Sequence, residues 1–271
     1  MQVINTNIMS LNAQRNLSTS QDMLATSMQR LSTGLRINSA KDDAAGLAIS
    51  ERMRSQIRSY GVAGRNVQDG ISLVQTAEGA LAEVSNILGR MRELSVQSAN
   101  GTLSDADKDT LNSEFTQLLA EVDRIAQNAE FNGVNLLDTA GATMAIQVGI
   151  DAGDTITITL ADMQAAALAI DALDISSTGD PNAALAALDT AQDTVNNFRG
   201  TMGAFQNRLQ STLASIQNST ENLSAAESRI RDVDVAFETA DLTRNTILQQ
   251  AATSVLAQAN LQPQLALSLL S

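Results

Sequence analysis

The chain has 271 residues, enough for one or two domains and a sizeable core, yet aromatic residues make up only 2% and Trp is absent, so the core must be aliphatic. Thirty Asp and Glu against 17 Lys and Arg leave a net charge of −13, which repels polyanions and argues against nucleic acid as a partner. With no Cys and no His, disulfides and thiolate metal sites are excluded and no metal or cofactor is expected; catalysis would have to rest on carboxylates, hydroxyls, one Tyr and two Lys.

Charged residues make up 17%, below the roughly 25% of ordinary soluble domains, and Asn, Gln, Ser and Thr take the polar positions instead. Amides and hydroxyls cost less to bury than charges. Such a surface suits packing against further copies of the same chain.

Residues 1 to about 35 carry a weak helical stripe of Ile4, Ile8, Leu17, Leu24, Met28, Leu31 and Leu35, set among Ser, Thr, Asn and Gln. The opening Met1-Gln2-Val3-Ile4-Asn5-Thr6-Asn7 has neither the basic start nor the apolar stretch of a cleaved secretory signal, and no run reaches the ~18 apolar residues of a membrane span. Membrane insertion is therefore not expected, and by this test alone the chain would be cytosolic. Lys41-Asp42-Asp43 reads as a solvated charged loop, because no second ligand cluster exists to complete an acid/base or cation site.

A heptad run follows. Met53, Tyr60, Val67, Val74, Leu81 and Leu88 repeat by seven, with Ile57 and Ile71 on a second seam that slips to Ala77, Val84 and Met91. Arg90, Arg92 and Glu93 stand out on this helix, which is otherwise poor in charge, as an exposed face or a partner contact. Asn100-Gly101 breaks the helix, and Ser104 with Asp107 resembles a capping box opening another through Leu111, Phe115, Leu118, Val122 and Ile125. Asp105, Asp107 and Asp109 lack the Gly and the later Glu of a calcium loop and read as acidic residues favoured by a helix N-terminus.

The period then changes to two. Met144, Ile146, Val148 and Ile150 alternate, Asp151-Ala152-Gly153-Asp154 has turn composition, and Ile156, Ile158 and Leu160 resume, predicting a β-hairpin. Residues 165–173 are too rich in Ala to assign, and Ser176 to Pro181 punctuates the chain. The clearest signal comes next: Leu188, Val195, Met202, Leu209, Ile216, Leu223 and Ile230 fall at unbroken steps of seven, with Ala191, Phe198, Phe205 and Ala226 as companions. A helix over 188–230 would be about 65 Å long. The last segment, 237–270, places Phe237, Leu248, Val255, Leu265, Leu267, Leu269 and Leu270 in a polar setting. Neither end offers enough apolar area to offset its ordering entropy, so both need a partner.

Literal strings add a resemblance. Ile4-Asn5-Thr6-Asn7, Ser10-Leu11-Asn12-Ala13, the run from Arg30 to Gly46, Arg90-Met91-Arg92-Glu93-Leu94, Phe131-Asn132-Gly133-Val134-Asn135-Leu136-Leu137, Ile247-Leu248-Gln249-Gln250-Ala251, Leu256-Ala257-Gln258-Ala259-Asn260 and Leu267-Ser268-Leu269-Leu270 are similar to the bacterial flagellins. The likeness covers nearly everything except about 140–185.

The resemblance implies a mainly α fold of long antiparallel, coiled-coil-like helices forming a rod, with one small β-hairpin at about 143–160. It divides the chain into an inner core, residues 1–42 with 228–271, and an outer core, residues 43–227. It implies a structural subunit, not an enzyme, that polymerises into the flagellar filament for swimming. That subunit leaves the cell unfolded through the flagellar type III channel, which places it outside the cell and overrides the cytosolic reading. Expected partners are other copies of the chain, an export chaperone, and the filament cap and hook-junction proteins. With only about fifty residues where many flagellins insert outer domains, a thin filament is implied.

By the same resemblance Arg90, Leu94, Gln97 and Glu114 would meet the host flagellin-sensing Toll-like receptor, with Leu118 where some of those flagellins carry Arg. The tail leucines Leu267, Leu269 and Leu270 would serve inner-core assembly and the cytosolic inflammasome sensor. A hook-filament junction protein, with related termini, is the alternative. A hydrolase built on carboxylates is the rival of another class, and no convergent polar set supports it.

Overall fold

The computed structural model describes residues 6–268, with side chains through Leu261. Ile4, Leu269 and Leu270 lie outside the described residues, as do the side chains of Leu265 and Leu267. In chain order the elements are α1 (Ile8–Thr33), α2 (Ala44–Ser98), α3 (Asp105–Asn128), β1 (Glu130–Phe131), β2 (Val134–Asn135), β3 (Thr143–Gln147), β4 (Thr155–Thr159), α4 (Pro181–Arg231) and α5 (Val235–Ser268). The fold is mainly α, as expected. The chain forms two compact units, residues 1–57 with 221–271, and residues 58–220. The division falls inside α2 and α4.

The unit of residues 58–220 holds the aliphatic core. On α2 the seam of Val67, Val74, Leu81 and Leu88 is buried as predicted and continues to Ser95. The second seam differs from expectation. It runs through Ala63, Gly70, Ala77, Val84, Met91 and Ser98 at unbroken steps of seven, all buried, while Ile57 and Ile71 are only half-buried. Gly70 conceals this seam from a hydrophobicity pattern because it has no side chain. A Cβ there would displace the Ile146 Cδ1 methyl and lie 3.5 Å from Leu209 Cδ1, so the helix, the hairpin and α4 approach closely at this point.

Helix α4 contributes Leu188, Val195, Met202, Leu209 and Ile216, joined by Ala184 and Ala191. It runs antiparallel to α2 within this unit. Gln192 donates to Ser85 at 2.6 Å, Arg92 meets Asp189 at 2.6 Å, Gly70 lies against Leu209 and Gly64 against Ile216, so residue numbers rise on one helix as they fall on the other. The predicted packing positions Met53, Tyr60, Leu223 and Ile230 are half-buried, not core. The helix starts seven residues before Leu188, at Pro181, because Asp180 Oδ1 accepts from the backbone N–H groups of Asn182 and Ala183 and Pro suits the first helical position.

The third helix, α3, opens with the expected capping box: the Ser104 side chain accepts from Asp107 N–H and the Asp107 carboxylate accepts from Ser104. Those bonds hold the Asp107 carboxyl below the usual aspartate value, the Ser104 hydroxyl contributing most. Phe115, Val122 and Ala126 face the core. Asp109 has a different job from the helix-dipole role expected of it, because it accepts from the backbone N–H and hydroxyl of Ser177.

Strands β3 and β4 pair antiparallel with Ile146 opposite Ile156 and Met144 opposite Ile158, within the predicted hairpin. A second antiparallel pair, β1 and β2, was not anticipated. Its two-residue turn is Asn132-Gly133 with φ of 52° and 77°, the positive pair that a tight primed turn requires. The segment left unassigned forms turns, not helix or strand. Side chains of α3 hold it in place: Asp123 accepts from Ala165 N–H at 2.7 Å and Asn112 from Ile175 N–H at 3.1 Å, which buries Ala165, Ile170 and Ile175.

The corrected seam can be tested. Leu81→Ala, at a fully buried position, should cost about 2–5 kcal/mol in urea unfolding, and Ile71→Ala markedly less because that side chain is already partly solvated. Equal losses would restore Ile71 to the seam.

Candidate assembly surface

In the unit of residues 1–57 and 221–271, α1 and α5 pair antiparallel. Asn7 Nδ2 donates to Ala259 O at 2.7 Å, Ser10 Oγ to Asn260 Oδ1 at 2.7 Å and Asn245 Nδ2 to Ser27 Oγ at 3.4 Å, and Arg30 faces Glu238 at 3.6 Å. These contacts climb one helix as they descend the other.

The buried positions of this pair invert the usual pattern. On α5 they are Glu238, Asn245 and Ala259, with half-buried Ala252 completing steps of seven, and Leu242, Gln249 and Leu256 form the companion seam. On α1 they are Ser10, Ala13 and Ser27, flanked by half-buried Leu17, Leu24 and Leu31. The remaining large apolar side chains point outward. Ile8, Met9, Leu11, Met23 and Met28 on α1 and Val235, Phe237, Ile247, Leu248, Val255 and Leu261 on α5 are all exposed, Phe237 at 66%. The stripe read from sequence on the last helix, Phe237, Leu248 and Val255, is thus its outer face.

Polar groups between helices fix register at some loss of stability. The layer here is weak even so: Arg30 Nε is buried and finds no acceptor among the described residues. The pair therefore combines an incompletely satisfied interior with an apolar exterior, the kind of exposed patch that marks an interaction surface.

At one end of the pair the connections lock together. Arg36 N–H donates to Arg231 O at 2.6 Å, Val233 N–H to Gly34 O at 3.0 Å, and the Arg36 guanidinium to Ile230 O at 2.7 Å. Gly34 takes φ of 72°, the left-handed conformation that ends α1. Arg231 also reaches Glu51 at 2.6 Å, and that hydrogen bond holds the Glu51 carboxyl below its usual range. Asp42, expected in a solvated loop, is exposed but organised: it accepts from Ser39 and Asn38, and the Ser39 backbone N–H does most to lower its pKa.

A second surface lies in the other unit. The Arg90 guanidinium bridges α2 and α3, donating to Glu114 at 2.8 Å and 3.0 Å and to Glu93 at 3.0 Å; these bonds, Glu114 first, raise its pKa. Arg90, Glu114 and Gln97 are exposed. Leu94 is not. At 1% exposure it belongs to the core and cannot meet a partner directly, because its turn of α2 aims it inward. Leu118 is half-buried. Among the described residues no group of three His, Cys, Asp or Glu could hold a metal ion, and no helix is long and apolar enough to cross a membrane.

Residues 4–142 match the family model described as the bacterial flagellin N-terminal helical region, and residues 185–270 match the C-terminal helical region. The chain belongs to the bacterial flagellin family. It is 50% identical over 270 residues to a flagellin of Halalkalibacterium halodurans, covering 99% of each chain. It is 44% identical to the Bacillus subtilis flagellin, covering 98% of this chain and 99% of that one. The crystal structure of Bacillus cereus flagellin superposes with a TM-score of 0.52 at 38% identity, covering 60% of this chain and 94% of that one. This flagellin is accordingly a structural filament subunit and not an enzyme. The 42 residues between the two matched regions hold the β3–β4 hairpin and the turns pinned to α3, with no outer domain added.

Register control by the polar layer gives a test. Asn245→Leu should slow hydrogen exchange along α1 and α5 in the monomer while loosening register, read as disulfide trapping at shifted as well as native positions between engineered cysteine pairs. Native-only trapping would remove the register role from Asn245.

Proposed function

We propose that this flagellin polymerises through the outward faces of α1 and α5, so that neighbouring copies bury the apolar residues each monomer exposes, and that the filament works outside the cell as the propeller turned by a rotary motor. The observation that carries the reading is the inverted helix pair: twelve of the fifteen large apolar side chains exposed among the described residues lie in this unit. In these terms residues 1–42 with 228–271 act as inner core and 43–227 as outer core. The outer core, with its continuous aliphatic seams, folds alone, whereas the ends order fully only in the polymer.

Weakly self-satisfied ends also suit passage, unfolded, through the flagellar type III channel, with a chaperone keeping the apolar faces apart and the cap and hook-junction proteins bounding the growing filament. A hook-filament junction protein would appear as a few copies at the filament base; a flagellin fills its length.

Deleting residues 242–271 removes most of the α5 seam and should leave a helical monomer that forms no filaments by negative-stain electron microscopy. Normal filaments from that truncation would overturn the reading. In the intact chain, hydrogen exchange should be fast at both ends in the monomer and strongly slowed in the filament.

Recognition by the host belongs to the same proposal. Arg90, Gln97 and Glu114 form the contact for the flagellin-sensing Toll-like receptor, with Leu94 supporting them from beneath, and the tail leucines Leu267, Leu269 and Leu270 engage the inflammasome sensor. Arg90→Ala should lower receptor signalling by monomer with little change in stability, since exposed ion pairs contribute little. An unchanged dose response would remove Arg90 from the contact.

A further inference from the structure

Six of the eight methionines among the described residues divide sharply by position. Met9, Met23 and Met28, all on α1, are 62%, 49% and 58% exposed, whereas Met91, Met163 and Met202 are 0%, 2% and 0% exposed in the core of the other unit. Met53 and Met144 are half-buried. The chain has no Cys and no Trp to intercept an oxidant first. Among the described residues accessible thioethers are therefore the most oxidisable groups, and the three most exposed all lie on α1, Met9 and Met23 beside grooves shared with α5 and Met28 on another side of the helix, on the outward surface proposed to be covered by neighbours. Met9 lines a groove with Val255 and Leu261, and Met23 lines another with Asn245 and Leu248.

We propose that Met9, Met23 and Met28 form an oxidation-sensitive site at which a peroxide-class oxidant converts the monomer into an assembly-incompetent form, an inference that rests on the burial of this face in the filament. In the reaction the thioether sulfur attacks one peroxide oxygen, the O–O bond breaks, an S–O bond forms and the peroxide leaves as water. The sulfur is oxidised by two electrons and the peroxide reduced by two. The product sulfoxide is a strong hydrogen-bond acceptor on a long side chain. Where the next copy presents apolar side chains it finds no donor, so burying it opposes association. Assembly and oxidation are then mutually protective: a subunit already in the filament hides its thioethers, and a subunit already oxidised is kept out. Because methionine sulfoxide is reducible enzymatically, the state is reversible.

The test treats purified monomer with hydrogen peroxide, maps sulfoxides by peptide mass spectrometry and measures the critical concentration for polymerisation. Sulfoxide should form at Met9, Met23 and Met28 well before Met91, Met163 and Met202, and the critical concentration should rise by about tenfold or more, the effect of one uncompensated polar group at a contact. Methionine sulfoxide reductases should restore assembly. A variant carrying Met9→Leu, Met23→Leu and Met28→Leu, close in volume, should polymerise normally and resist peroxide. Filaments treated after assembly should react at these three positions at least about tenfold more slowly than monomer. Oxidised monomer that polymerises at an unchanged critical concentration would overturn the inference, as would a triple variant as peroxide-sensitive as the parent. Either result leaves the assembly reading to be judged separately, by the 242–271 deletion.

Discussion

The tie between the turn after α1 and the turn before α5 governs the unit formed by the chain ends. Its backbone bonds, Arg36 to Arg231 and Gly34 to Val233, join residues about two hundred positions apart in sequence, and the Arg231–Glu51 pair braces them. With those turns tied, α1 and α5 extend away from the tie side by side with opposite chain sense, and the polar contacts from Arg30–Glu238 to Asn7–Ala259 fix the register. Closing so long a loop is entropically expensive, though the cost grows only slowly with length. Once the core of residues 58–220 has formed, much of that entropy is already lost. The tie is then a local step, and its hydrogen bonds need supply only orientation.

The two units obey opposite burial rules, and the difference sets what each can do. Between α2 and α4 the seams are mostly Val, Leu, Ile, Met and Ala, each large side chain contributing about 1.5–3 kcal/mol on full burial. Between α1 and α5 the buried positions hold Ser, Asn, Glu and Ala, whose burial contributes little net stability. The chain's low charge matters here: few of its outward groups would have to be stripped of water at full ionic cost when another surface arrives.

Much of the larger unit was legible in the sequence because its determinants are periodic and apolar. Leu188 to Ile216 announced α4, Ser104 and Asp107 announced the start of α3, and alternation from Met144 to Leu160 announced the hairpin. What escaped had a physical reason in each case. Gly70 occupies a seam position without a side chain, so the second seam of α2 seemed to slip. Residues 161–177 are positioned by carboxylates and an amide on α3, a tertiary effect with no local pattern. On α5 the fully buried positions are polar or small and most of the large apolar residues are exposed, with Leu242 and Leu256 only half-buried in the companion seam, so a reading that equates apolar with buried selects the wrong face. Leu94 illustrates a different gap, since likeness to a family carries over positions but not the depth at which each side chain sits.

The inverted face also clarifies why the resemblance and the physics agree at the ends of the chain. A helix pair that hid its large apolar residues against itself would be more stable as a monomer and would have nothing left to offer a neighbour. Placing Ser10, Ser27 and Asn245 inside keeps the monomer pair weak but specific, while Ile8, Phe237, Ile247 and Val255 keep most of the apolar area in reserve. Because hydrophobic association is undirected, such an exterior by itself would favour disordered aggregation. Direction has to come from the helix pair presenting its side chains at fixed spacing, which is what the polar register supplies. On the proposed reading stability is thereby moved from the single chain to the assembly, and specificity is retained in the single chain.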